Sequence, residues 1–164
     1  MIKPLIAVTA MAAALTAGPV AGADQTFKAR LSGDQEVPPV TDQGTSGKVD
    51  LQFNRDFTEG EFKLVVNAGV RVTQSHLHCG PVGVNGPIIV FFVGPPPTTA
   101  GGDGWDVDGQ WISNATITNA NIVNTSCGST LAEIAHSASL GNVYANVHSV
   151  AKPAGVARGQ LLPD

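Results

Sequence analysis

From Asp24 onward the chain is cut into short apolar segments by glycine, proline, asparagine and aspartate, and most segments alternate in polarity with a period of two. Such punctuation excludes a helical bundle and defines an all-β domain of short strands joined by turns. "QTFKARLSG" alternates as a first strand, and "DQEVPPVTDQGTSG" is a loop, because Pro38-Pro39 has no place inside a ladder. "KVDLQFN" puts Val49, Leu51 and Phe53 on one face and pairs as a hairpin with "EFKLVVNAG" around the turn "RDFTEG". "RVTQSHLHC", the wholly apolar "IIVFFVG", "WISNATITNANIV", "NVYANVHSV" and "ARGQLLP" supply the other strands. A helix is expected only over "STLAEIAHSASLG", with Ser129 as its cap and Glu133 in its first turns. About eight short strands and one short helix with long connections describe a Greek-key β-sandwich or barrel.

The first 23 residues read differently. Lys3 precedes an apolar, alanine-rich run that ends in Ala21-Gly22-Ala23, the form of a secretory signal peptide. The expected organisation is therefore a signal peptide over 1–23 and a single β domain over 24–164, periplasmic or secreted. The run is too short for a convincing membrane span, and no later stretch is apolar for long enough. The formal charge of −4 becomes −5 once Lys3 is removed, which argues against nucleic acid as a partner. Two cysteines in an exported chain most simply form one disulfide, Cys79–Cys127. Homodimerisation is compatible with the sequence and not required by it.

The chemistry concentrates in "SHLHCG" and "YANVHS". Successive strand side chains alternate, so His76 and His78 share one face while Leu77 and Cys79 share the other. In the second stretch Tyr144, Asn146 and His148 oppose Val143, Ala145 and Val147, and the valines mark the core side. Three of the four histidines thus stand at face-matched strand positions. If the two strands are neighbours, or face one another across the barrel mouth, the imidazoles converge, and three nitrogen ligands with an open position fit copper, or less well zinc. A β-bulge would turn Cys79 toward the same ion as a thiolate ligand, and three unrelated surface histidines are the bland alternative. His136, on the expected helix, is either exposed or a possible fourth ligand.

In order, "LSGDQEVPPV", "SHLHCGPVGVNGPIIV", "GNVYANVHS" and "GVARGQL" resemble the CHRD domain, named from chordin and widespread in secreted bacterial proteins. The resemblance covers about residues 27 to 162 and implies a β-sandwich. Ala145, Ser149 and Ala157 depart from the family's usual residues, and none touches a histidine. More distantly, the layout is similar to that of copper-zinc superoxide dismutases: a strand H-x-H, a late histidine, a disulfide and an arginine near the channel. The zinc-binding loop and the bridging histidine are missing, so the similarity implies a copper-only dismutase acting on superoxide. It casts Arg158 as the guide for that anion, while Tyr144 and Asn146, on the same strand face as His148, are candidates for orienting the ligands. A copper carrier or store without turnover, an adhesion domain with incidental histidines and a zinc hydrolase are the other readings.

The remaining motifs are weak. "DGWDVDGQ", Asp103 to Gln110, spaces carboxylates like the start of a calcium loop but has no glutamate placed to close it. Asn114 and Asn124 are glycosylation sequons in form only. Gly80, Gly83 and Gly86 lead into a strand and not a helix, so they are turn glycines and not a phosphate cradle.

Overall fold

The computed structural model describes residues 23–42, 44–94 and 109–164. Most of the expected signal peptide lies outside the described residues, as does the segment 95–108 with nearly all of the calcium-like loop. Among the described residues there are nine strands: β1 (Gln25–Ser32), β2 (Ser46–Phe53), β3 (Glu59–Gly69), β4 (Val72–Cys79), β5 (Ile88–Val93), β6 (Gly109–Thr118), β7 (Val143–Ser149), β8 (Ala157–Gln160) and β9 (Leu162–Pro163). One helix, α1 (Leu131–Ser139), precedes β7.

The strands form one antiparallel sheet in the order β5-β4-β7-β8-β1-β2-β3-β6, with β9 added to β1. A single bridge between Val90 and Ile122 brings the two ends together, so the sheet curls into a nearly closed barrel. The chain crosses over between β3 and β4 and again between β6 and β7, as expected of a Greek key. Alternation fills the interior: Phe27, Leu31, Val49, Leu51, Phe53, Phe62, Leu64, Leu77, Val143 and Val147 are all buried in one core. Burying each such side chain contributes about 1.5–3 kcal/mol.

Three sequence expectations need adjustment. "ARGQLLP" is two strands, β8 and β9, parted at Leu161. The strand in "WISNATITNANIV" ends at Thr118, where Asn121 turns back to accept from the Thr118 N–H at 2.7 Å. The helix cap is Thr130 and not Ser129: Thr130 Oγ1 accepts from the Glu133 N–H at 3.2 Å, and Glu133 accepts in return from the Thr130 N–H. Ser129 donates to the same carboxylate from one residue upstream, at 2.6 Å.

Cys79 and Cys127 are joined by a disulfide across 48 residues, with Cα atoms 5.4 Å apart. Closing a loop of that size stabilises the fold by about 4 kcal/mol in the chain-entropy picture. It also fixes the end of β4 against the segment that leads into α1.

Candidate metal centre

The pairing of β4 with β7 decides where the histidines go. The register runs without interruption from Gln74↔His148 through His76↔Asn146 and His78↔Tyr144 to Cys79↔Val143. His76, His78 and His148 therefore stand on one wall, opposite the core-facing Leu77, Ala145 and Val147. Irregularities occur on the other side of β4, where it pairs with β5, and they do not turn Cys79 toward the histidines. The cysteine is held in the disulfide, which removes the thiolate-ligand alternative.

The ring centroids lie 4.6 Å apart for His76 and His78, 4.3 Å for His76 and His148, and 6.1 Å for His78 and His148. One nitrogen from each comes within 4.8 Å of the others. Metal–nitrogen bonds of about 2.0–2.1 Å would place the nitrogens around a shared ion roughly 3.3–4.2 Å apart, so small ring movements close the gap. The wall is not the exposed polar face that alternation alone suggests. Every residue of β7 is buried, and His76, His78 and His148 are 0%, 8% and 5% exposed.

Covering segments explain this burial and also set the tautomers. His78 Nδ1 lies 2.7 Å from the Gly86 carbonyl and His148 Nδ1 lies 2.9 Å from the Pro153 carbonyl. A carbonyl only accepts, so both Nδ1 atoms carry the proton and both Nε2 lone pairs are free. Those Nε2 atoms are buried without a partner, and so are both ring nitrogens of His76. Buried polar atoms are rarely left unpaired, and such orphans cost about 1–3 kcal/mol each. One unpartnered imidazole nitrogen from each of three buried rings, all within 4.8 Å of one another, is what an ion-binding site looks like before the ion is counted. The Phe91 ring meets His76 edge-on at 5.2 Å. This contact accounts for the wholly apolar β5: Ile89 and Phe92 serve the core while Phe91 backs the site.

Behind His78 stands a stack. The Tyr144 ring lies parallel to the imidazole at 4.7 Å, and the Arg158 guanidinium covers the other face of Tyr144 at 3.7 Å. Tyr144 Oη accepts from the Gly86 N–H at 3.1 Å, while Arg158 donates to Asn85 Oδ1 and to the Val84 carbonyl, each at 2.9 Å. Arg158 is only 2% exposed, so it is placed beneath the Gly80–Pro87 loop and clamps it, one layer behind the histidines. His136 lies on the exposed face of α1, outside the three-histidine group.

Glu36 is the residue that sequence reasoning passed over, although it opens the "EVPP" stretch. It is 5% exposed, and no other carboxylate is buried among the described residues. Its two oxygens accept from Asn146 Nδ2 at 3.2 and 3.3 Å. A carboxylate two residues ahead of a proline pair was the available signal.

Burial keeps the imidazoles neutral, as ligation requires. His76 is driven down to about 2 by burial and by the neighbouring His148 and His78, and His78 to about 4 mainly by burial. His148 is lowered by burial against the opposing Pro153 bond. The unfolded chain protonates its histidines below about pH 6.5, whereas the native chain resists doing so. Full stability is therefore expected above pH 6.5 and is lost as pH falls, the His78 contribution ending near pH 4 and that of His76 near 2. Glu36, raised to about 7 by burial, works in the opposite sense between pH 7 and 4.5, because the native carboxyl then holds a proton that the unfolded one lacks. His76 and His78 less the Glu36 carboxyl leave about one proton taken up on unfolding near pH 5, about 1.4 kcal/mol lost per pH unit, and His148 adds to the loss in the same direction. Urea unfolding of the metal-free protein at pH 7 and pH 5 checks this; equal midpoints would contradict it.

A nearly closed antiparallel barrel with three buried, convergent imidazoles on its outer wall defines a β-domain with a candidate metal centre. Residues 27–161 match the family model of the CHRD domain, and the chain belongs to that family. Comparison with curated proteins and with solved structures gave no match.

Proposed function

We propose that this CHRD domain is an exported copper protein and that its three-histidine centre dismutates superoxide. The observation that carries the reading is the set of free, buried Nε2 atoms of His78 and His148 facing the unpartnered nitrogens of His76. Imidazole donors favour copper over other divalent ions of the first transition row. When bound, copper supplies the one-electron couple by which two superoxide anions and two protons become one dioxygen and one hydrogen peroxide. The chain's own residues hold the tautomers through Gly86 and Pro153, back His76 with Phe91, and hold His78 through Tyr144. The Arg158 charge, which reaches far enough to oppose protonation of His78, lends the site a positive field in an acidic protein.

One observation favours a second reading. All three rings lie beneath covering segments, which suits a copper carrier that shields its ion. Stopped-flow decay of superoxide with copper-loaded protein separates the two. Decay well above that of the metal-free protein, slowed by added salt, is expected of the dismutase. A rate equal to that of the metal-free protein, with one copper still bound per chain, leaves the carrier.

A further inference from the structure

The structure leaves room for the Glu36 carboxyl and for little else at that point. Gly155, at φ +135°, passes so close that a Cβ there would fall 2.6 and 2.8 Å from the two Glu36 oxygens and 2.7 Å from Asn146 Nδ2. A side chain at 155 would take the carboxyl's place. On its inner side Glu36 meets Asn146, which stands between Tyr144 and His148 on the histidine wall and pairs across the ladder with His76. On its outer side Glu36 borders a surface depression of about 390 Å³ shared with Asp34, Val37, Val82 and Arg158. The carboxyl therefore stands between solvent and the histidine wall.

We propose that Glu36 is the proton partner of the metal centre: it takes up a proton from solvent when the bound metal gains an electron and releases it when the electron leaves. The inference rests on the copper reading above. Reduction removes one positive charge from the histidine site, and a buried carboxylate then costs more to keep ionised. Burial already holds the Glu36 carboxyl near 7, with Arg158 from β8 and the Asn146 amide from β7 as the opposing influences. A group poised there changes protonation for a small change in field at ordinary pH. The charged and titratable groups beside it are Arg158 and Asp34, and Asn146 stands between it and the histidines. The balance closes with superoxide as reductant. It loses an electron and leaves as dioxygen while Glu36 gains a proton; a second superoxide takes the electron, this proton and one from solvent, and leaves as hydrogen peroxide.

The test uses the copper-loaded full chain. Midpoint potentials are measured by spectroelectrochemical titration between pH 5 and 9 for the wild type and for Glu36→Gln, with copper content and the Cu(II) paramagnetic resonance spectrum recorded for both. The wild-type potential is expected to fall with rising pH, approaching about 59 mV for each tenfold change in proton activity. The Glu36→Gln potential is expected to be flat while the copper content and spectrum are retained. Redox-difference infrared spectra of the wild type provide a measurement that needs no variant: a protonated carboxyl band should appear on reduction. The same slope in both proteins, or no carboxyl band, overturns the proposal. Failure to bind copper overturns both readings. A Glu36-dependent slope without superoxide decay removes only the dismutase and leaves the proton partner standing.

Discussion

Replacing His76 with leucine should lower copper affinity by about a hundredfold or more while leaving the metal-free protein at least as stable as the wild type. The two halves of this result come from the same atoms. Both His76 ring nitrogens are buried without partners, so an apolar side chain of similar size removes an unpaid desolvation cost of about 1–3 kcal/mol per nitrogen. Copper loses a ligand at the centre of the cluster, where His76 is the ring nearest both others. His78→Ala and His148→Ala should lose affinity similarly, and His136→Ala should not. Copper titration by calorimetry, paired with urea unfolding of the metal-free variants, gives the answer. Wild-type protein should also gain thermal stability on loading, as any ligand of the native state confers, and His76→Leu should not. If His76→Leu instead unfolds readily and copper affinity is unchanged, the histidines are structural and the metal centre is wrong.

Gly86→Ala is expected to cost about 4 kcal/mol or more, and to disable the site in whatever protein still folds. A Cβ at this position would lie 1.6 Å from the Cys79 carbonyl oxygen and 2.6 Å from its carbon, so backbone must separate from backbone. The displaced segment carries the carbonyl that holds His78 and the N–H that holds Tyr144. Gly83→Ala is the control within the same loop. Its φ of +79° disfavours a side chain by about 1–2 kcal/mol, but nothing lies within 4 Å of the added carbon. Urea unfolding of the two variants should separate them by several kcal/mol; equal losses would show that the crowding at Gly86 is relieved by easy movement of the loop.

Much of this is legible in the sequence, because period-two alternation is a local property. The strand faces of β1, β2, β3 and β7, the loop at Pro38-Pro39 and the shared face of His76 and His78 all follow from it. The convergence of His148 with them depended on β4 and β7 being neighbours, a pairing across about 70 residues that spacing alone leaves open. What alternation did not carry was the environment of the outer wall. It marks that face as polar, and polar suggests exposed, but loops cover it: residues 80–87 just after β4, the turn containing Pro153 just after β7, and residues 33–40 from far along the chain. Asn85 Nδ2 bonds the Val37 carbonyl at 2.8 Å, stitching two of these segments to each other. The same cover hid Glu36, whose partner Asn146 is 110 residues away. Arg158 was picked out for its charge, but its burial beneath Val84 and Asn85 depends on a loop path that one-dimensional pattern does not describe.

The two rings whose tautomers are fixed owe them to main-chain carbonyls, those of Gly86 and Pro153. A backbone oxygen survives every substitution of its own side chain, so no single replacement deletes the acceptor as it would delete an aspartate. The orientation of His78 and His148 is thus insured against drift in side-chain identity and vulnerable only to changes in chain path. Path is what glycine and proline dictate, and those are the residues that stand at 86 and 153. The other side chains of these loops can therefore be changed without removing either acceptor, provided the two path-setting residues stay. A search for related centres does better to follow backbone trajectory around an H-x-H strand than to look for a conserved carboxylate behind each histidine.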